Sequence, residues 1–347
     1  MESFISDVMK IHKINQQINC TINLVSGNST GLSNDALILK QALIRGGWGG
    51  ELRHFSGTNS KLVNIWLLLQ LFFDKYILHT RQYTLHLEEL YHELIPFSEH
   101  NILIPNQEWL RSGTQQLITK KIKLWCKTQY ACQQLDSLSK QITFLGFSSP
   151  DRLNSNIQRK NNHFIHVAGK SAQKGTIPLL TVWQQHPEWP TLRVISRNPA
   201  HQGYRQPNIE LISDFLTEEQ LSLLMNESVF HLCPSESEGF GHTIVEALSI
   251  GAIVITTNGP PMNELVDSEC GFLVNWKSKK KQYFSEMYSI DEQDLERIIS
   301  KVLVLTEQKI KAMRIKSRQK YQHKTKQFYR QLISNFQIQI TNDKKNA

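Results

Sequence analysis

Two glutamates in the stretch SESEGFGHTIVEALSIGAIVITT (residues 235–257), Glu238 and Glu246, stand on either side of a short glycine-rich turn with seven residues between them. The apolar run SVFHLCP delivers the chain to Ser235, and a helix is predicted to begin within a few residues of Gly239. The amides of Gly241, His242 and Thr243 then lie at a helix N-terminus, where N–H groups and the helix dipole favour an anion. Glycine at 239 and 241 lets backbone approach a diphosphate with no Cβ in the way. At ~1.5 Å rise per residue, Glu246 lies roughly 9 Å further along the axis, comparable to the reach from a pyrophosphate to a ribose. The spacing alone also fits a plainer pattern, with Glu238 a partner of the helix dipole and Glu246 a solvent-facing helix residue.

Other phosphate-binding candidates fail on their own terms. HVAGKS resembles a nucleotide P-loop, but the first glycine of that motif falls at position 164, which is Phe164. GGWGGEL departs from the dinucleotide fingerprint at Leu52. The five cysteines are scattered, with no Cys-x-x-Cys pair and no zinc spacing, which fits a reducing, cytoplasmic compartment. No Asp-x-Asp stands in a convincing setting for Mg²⁺, so no metal and no cofactor are expected.

Positioning such a site requires strands ending beside helix starts, and short β-rich runs alternate here with amphipathic stretches, the pattern of βαβ units. It occurs twice. CTINLVS, YTLHLEEL, NILIPNQEW, KLWC and QITFLGFSS mark strands of the first half; FIHVAGK, TLRVISR, NIELIS, SVFHLCP and GAIVITT mark those of the second. The polar stretch SSPDRLNSNIQRKNNH between them reads as a linker. LVNIWLLLQLFF (Leu62 to Phe73) falls well short of the ~20 residues of a membrane span and reads as a buried helix. The expected architecture is α/β, with two Rossmann-like doubly wound domains facing across a cleft. Their expected bounds are 1–157 and 158–306, with 307–347 a basic helix and tail packing back on the N-terminal domain.

The chain of 347 residues carries a formal charge of +8, and Lys309 to Arg330 holds nine Lys and Arg with no acid. That block reads as a solvated helix face, with peripheral contact to an anionic membrane as its functional alternative; nucleic acid is not expected.

PSESEGFGHTIVEALSIGAIVITTNGPPMNEL closely resembles the donor-binding segment of retaining glycosyltransferases of family 4, the group 1 glycosyl transferases with the GT-B fold. The resemblance is dense from Pro234 to Glu264, extends through CGFLV, and includes GKSAQKGT upstream. It implies that Glu238 contacts the transferred sugar, that Glu246 accepts hydrogen bonds from ribose hydroxyls, and that Gly239, Phe240, Gly241, His242 and Thr243 surround the diphosphate. Lys170 and Lys174 take the positions of two phosphate-holding cations. Lys170 departs from the commoner arginine and lacks its bidentate fork. A lysine near a helix N-terminus opposes the dipole unless an anion is present, which favours a functional reading of both.

In the N-terminal half, GNSTGLSND looks like the loop over the donor phosphate, with Gly31 its best candidate and Ser33 or Asn34 a plain helix cap as the alternative. His86 in TLHLEEL is the nearest candidate for the histidine that the family carries at a strand end, with a catalytic role implied and a structural histidine as the alternative, and Glu88, Asn106 and Glu108 are acceptor-side candidates. The resemblance implies a metal-independent, retaining transfer from a nucleotide-diphosphate sugar to a glycan, lipid-linked or protein acceptor. A nucleotide-sugar epimerase on the same scaffold and a basic lipid- or nucleic-acid-binding protein are the rival readings.

Overall fold

The structure is a computed structural model that describes residues 20–48, 50–56 and 61–345. The chain divides into two compact units. One runs to Phe147 and resumes at Lys326; the other is Ser148–Thr325. The sequence reading had placed its divisions at 157/158 and 306/307.

The first unit is built on a six-stranded parallel sheet of order β2-β1-β3-β4-β5-β6. Its strands are β1 (Cys20–Ser26), β2 (Glu51–Ser56), β3 (Arg81–Leu87), β4 (His100–Ile104), β5 (Ile122–Cys126) and β6 (Ile142–Phe144). Its helices are α1 (Thr30–Arg45), α2 (Lys61–Tyr76), α3 (Ser112–Leu117) and α4 (Gln129–Leu135). β1, β3 and β4 are buried almost throughout, as strands covered on both faces must be. β2 was not anticipated, because ELRHFS is an edge strand with little apolar content.

The second unit repeats the plan with the order β12-β11-β10-β7-β8-β9. Its sheet strands are β7 (Lys160–Gly169), β8 (Leu192–Ser196), β9 (Ile209–Ile212), β10 (Ser228–Cys233), β11 (Ile253–Thr257) and β12 (Gly271–Val274). α5 (Thr176–Gln184), α6 (Glu218–Glu227), α7 (His242–Ile250) and α8 (Glu292–Leu303) belong to it. An antiparallel hairpin, β13 (Trp276–Gln282) with β14 (Ser285–Ile290), was also missed, since four lysines in one strand hide its pattern.

The last helix, α9 (Glu307–Lys345), contributes residues to both units. In the first unit Phe336 packs near Trp48, Tyr83 and Trp125, and Phe328 packs near Phe147.

Three expectations are corrected. α2 is not a buried helix: Leu67 and Leu71 face the core, while Trp66, Leu69, Phe72 and Phe73 are exposed. The stretch Ser148–His163 is not a linker: it belongs to the second unit, where the Arg152 and Asn154 amides donate to Ser249 Oγ and Asn226 Oδ1, and β7 begins within it at Lys160. α1 begins at Thr30, capped by Ser29, whose hydroxyl accepts from the Leu32 amide at 3.2 Å. Gly31 therefore lies in the first helical turn rather than in the loop.

Candidate functional site

In the second unit the chain runs outward from β7 to β9, then returns to β10 beside β7 and continues to β12 on the other side. The order reverses between β7 and β10, the kind of switch point where open parallel sheets bind ligands beyond their carboxyl ends. Lys170, Lys174 and Gly175 follow β7; Ser235 to Gly241 follow β10. The two predicted motifs, more than sixty residues apart in sequence, thus emerge side by side.

They are tied at several points. Gly175, with φ of +66°, caps α5, and a Cβ there would stand 2.0 Å from the carbonyl oxygen of Pro234, so only glycine fits. The Glu236 amide donates to Gln173 O at 2.9 Å. Beneath them, His166 bridges β7, β10 and α5: its Nδ1–H donates to Leu232 O at 2.7 Å, and Nε2 accepts from the Thr176 hydroxyl at 2.8 Å. Burial pulls its pKa down to about 4, which keeps the ring neutral, and the Leu232 carbonyl, able only to accept, fixes this tautomer.

On this frame the Lys174 ammonium donates to the Glu238 carboxylate, and the Ser235 hydroxyl donates to the same oxygen at 2.6 Å. Ser235 is held in turn, its carbonyl accepting from the Thr257 hydroxyl at 2.6 Å. α7 starts at His242 behind Gly241, which has φ of +102° and no side-chain cap on the helix. A Cβ on Gly241 would also crowd Leu265 at 2.9 Å. The His242 ring meets Ser149 Oγ through Nδ1 at 2.8 Å, edge-on to Phe240, whose side chain is buried. Thr243 occupies the first turn of α7 beside it. Lys170 is exposed in the turn after Gly169.

Glu246 lies in the second turn of α7 and is largely buried, with Oε2 at 3.1 Å from Nε of Arg152. Arg152 also donates through Nη1 to Glu218 at 2.7 Å. The sequence reading missed Arg152, Ser149 and Ser235. Ser235 stood inside the quoted motif, whereas Arg152 and Ser149 reach α7 from a hundred residues away and leave no local pattern. Beside the loop after β10, Glu236, Lys279, Lys280 and Tyr288 line a cavity of about 240 Å³ under the hairpin. Burial raises the Glu236 carboxyl against the opposing influence of Lys280.

The N-terminal candidates lie within the first unit, His86 in one hydrogen-bond network and Glu88 with Asn106 in another. His86, on β3, is fully buried; the Tyr91 amide donates to Nδ1 at 3.3 Å, and Nε2 donates to Asn101 Oδ1 at 3.0 Å. Burial lowers its pKa to about 4, so the ring is a neutral crosslink. Glu88 follows β3 with φ of +71°, a left-handed conformation uncommon for glutamate. Its carboxylate accepts from Asn106 Nδ2 at 2.8 Å. Asn106 Oδ1 accepts from Lys127 at 2.9 Å, and Lys127 is in a buried ion pair with Asp35. Glu108 is buried in the single 3₁₀ turn that follows Asn106. Gly31, at the start of α1, has open space around its Cβ position.

The basic block of α9 is partly consumed inside the second unit. Lys316 pairs with Glu269, Arg318 with Asp151 and Lys320 with Asp267. Burial lowers the pKa of Lys324.

Residues 207–299 match the family model described as "Glycosyl transferases group 1". That range includes Glu238 and Glu246 but not Lys170 or Lys174. The chain is 43% identical over 60 residues to a GDP-mannose:cellobiosyl-diphosphopolyprenol alpha-mannosyltransferase of Xanthomonas oryzae pv. oryzae, covering 17% of this chain and 16% of that protein. It is 47% identical over 57 residues to the O-antigen biosynthesis glycosyltransferase WclY of Escherichia coli, covering 16% of each. The matched stretch thus spans about one sixth of these relatives. The sucrose-phosphate synthase from Thermosynechococcus elongatus superposes with a TM-score of 0.71 at 13% identity, over 93% of this chain and 100% of that one. A pneumococcal O-GlcNAc transferase, GtfA, solved with UDP and GlcNAc, superposes with a TM-score of 0.56 at 17% identity, over 80% of this chain and 59% of that one. The fold is GT-B, two Rossmann-like α/β domains.

Proposed function

We propose, from the premise that this chain has the GT-B fold and carries a group 1 glycosyl transferase region at residues 207–299, that it transfers a sugar from a nucleotide-diphosphate sugar to an acceptor. The observation that carries this reading is the meeting of Lys174, Glu238 and the glycine-lined start of α7 beyond β7 and β10. As the bond between sugar and diphosphate breaks, negative charge grows on the leaving phosphate. Lys174, Lys170 and the first-turn amides of α7 oppose that charge from fixed positions, and a preorganised array loses nothing to reorganisation at the moment of reaction. On this account no metal ion or cofactor is needed for leaving-group stabilisation.

Lys174 lies against Glu238 and bridges that carboxylate to the donor phosphate, while Glu238 holds hydroxyls of the transferred sugar. Glu246 keeps Oε2 on Arg152 and offers Oε1 to the ribose. The anomeric configuration is retained, with Glu238 orienting the sugar for attack from the leaving-group face. In the first unit, Glu88 and Asn106 present a held carboxylate and amide to the acceptor. His86, with both ring nitrogens engaged, is a positioning residue for the loop at Tyr91. The acceptor is lipid-linked, in keeping with the diphosphopolyprenol named for a curated relative, and the protein works in the cytoplasm.

Purified protein is incubated with a panel of nucleotide sugars while nucleotide release and thermal shift are recorded. A donor that stabilises the protein and is turned over supports the reading; no shift and no turnover with any donor at saturating concentration sinks it. Conversion of the donor at unchanged mass, without an acceptor, identifies an epimerase instead.

A further inference from the structure

α2 presents an apolar face that none of the described residues of the first unit covers. At 100° per residue, Ile65, Trp66, Leu69, Phe72, Phe73 and Tyr76 occupy a contiguous arc of roughly 120°, opposite the core-facing Leu67 and Leu71. Trp66 is 65% exposed, Leu69 63% and Phe73 50%. Ile77 and Leu78 continue the patch beyond the helix and are more than half exposed. No charged side chain interrupts the arc. The helix's acid, Asp74, is buried against Arg53, and Lys75 lies to one side, donating to Pro96 O at 2.8 Å. With each side chain exposing about half of the ~150–250 Å² that such groups can bury, the patch totals on the order of 700 Å², above the few hundred Å² usual on a monomer.

We propose that this face of α2 is a membrane-docking surface that inserts shallowly into the interfacial region of an anionic bilayer. Two observations select lipid over a second protein surface. The stripe sets the amphipathic rings of Trp66 and Tyr76 among Leu69, Phe72 and Phe73, the composition of the apolar face of a helix that lies in the interface plane. The unit that carries the patch also holds most of the net charge, with eighteen Lys and Arg against twelve Asp and Glu. A neutral apolar patch on a cationic body is attracted to anionic lipid as a whole and anchored by its apolar side chains. Among the described residues no helix is long and apolar enough to cross a membrane. A lipid-linked acceptor, part of the reading above, would thereby be approached at the surface where it resides, but the docking rests on α2 and not on that reading. The site differs from the basic stretch of α9, whose cations at 316, 318 and 320 are engaged within the second unit.

The full chain is floated with vesicles of phosphatidylcholine alone and of phosphatidylcholine mixed with phosphatidylglycerol, with nucleotide-sugar thermal shift recorded on the same samples. Wild type is expected to float with the mixed vesicles and far less with the neutral ones. A triple variant, Leu69→Gln, Phe72→Gln and Phe73→Gln, should lose at least tenfold in vesicle partitioning while keeping its circular dichroism spectrum and its thermal response to donor. Lys309→Glu with Lys311→Glu should float like wild type. The proposal is overturned if wild type does not float, if the triple variant floats unchanged, or if only the α9 variant is lost. It is equally overturned if sedimentation shows a wild-type dimer that the triple variant turns into a monomer, with no vesicle binding by either. Because donor binding is read separately, failure here leaves the proposed transfer standing, and the reverse also holds.

Discussion

Gly175 and Pro234 are in contact so close that a methyl group on the glycine would stand 2.0 Å from the proline carbonyl oxygen. This contact sets the spacing between the loop after β7 and the loop after β10, and so the reach of Lys174 to Glu238. Gly175→Ala adds a clash with rigid backbone to the cost of a left-handed alanine, and should destabilise the protein by about 2 kcal/mol or more. Urea unfolding measures that loss, and donor affinity should fall with it even where the variant is still folded. Wild-type stability in the variant would mean the loops can part at little cost.

Lys174 should matter to the donor through its charge and position. Lys174→Ala is expected to weaken nucleotide-diphosphate binding by about ten- to a hundredfold, the scale of one charge-assisted phosphate contact. Lys174→Arg should keep most of the affinity. Calorimetry with the donor identified by the panel reads both; equal affinity in wild type and Lys174→Ala would remove the phosphate role.

The Arg152–Glu246 pair gives a coupled prediction. Removing the arginine leaves a largely buried carboxylate without its cation, so Arg152→Ala should cost about 1–3 kcal/mol. Glu246→Gln alone should cost less, and the double variant should be more stable than Arg152→Ala. A double-mutant cycle with a coupling near zero would show that the pair is incidental. Separately, Glu246→Ala with its fold intact should lose donor binding, and unchanged binding would contradict the ribose role.

Acid should loosen the second unit before its carboxylates titrate fully. His166 and His231 are both buried, and desolvation holds each near a pKa of about 4, against 6.5 for an ordinary histidine. Between those values the unfolded chain binds protons that the folded chain refuses, so stability falls as pH drops from about 6.5 to about 4. Each histidine accounts for at most about 3 kcal/mol. Unfolding midpoints across that range test the slope, and His166→Gln should reduce it; a flat profile in wild type would contradict neutral burial.

Where sequence was legible, local pattern and fold agreed. Cys20 to Ser26 was read as a strand at its observed bounds because seven consecutive residues are buried on both faces. The segment from Pro234 to Glu264 was legible because strand end, glycine turn and helix start are each written in neighbouring residues. β2 escaped because an edge strand needs no apolar alternation, and β13 because its lysines are solvated. The apolar run of α2 told of burial without telling what would do the burying, and the protein core takes only Leu67, Leu71 and their neighbours. Ser29 capped α1 ahead of Ser33 and Asn34 because its hydroxyl reaches Leu32 first, which moved Gly31 from loop to helix. Arg152 could be assigned only once β10 and α7 were in place to receive it.

The path of α9 bears on how the protein is made. Phe328, Leu332 and Phe336, close to the end of the chain, are buried in the unit that begins with β1. During synthesis the six strands of that unit leave the ribosome long before the aromatic side chains that seal Trp125 and Phe147 exist. The second unit, continuous from Ser148 to Thr325, has all of its residues first. The half of the protein translated first is therefore the half completed last, and it waits with an open core that a cell's chaperones are suited to shield.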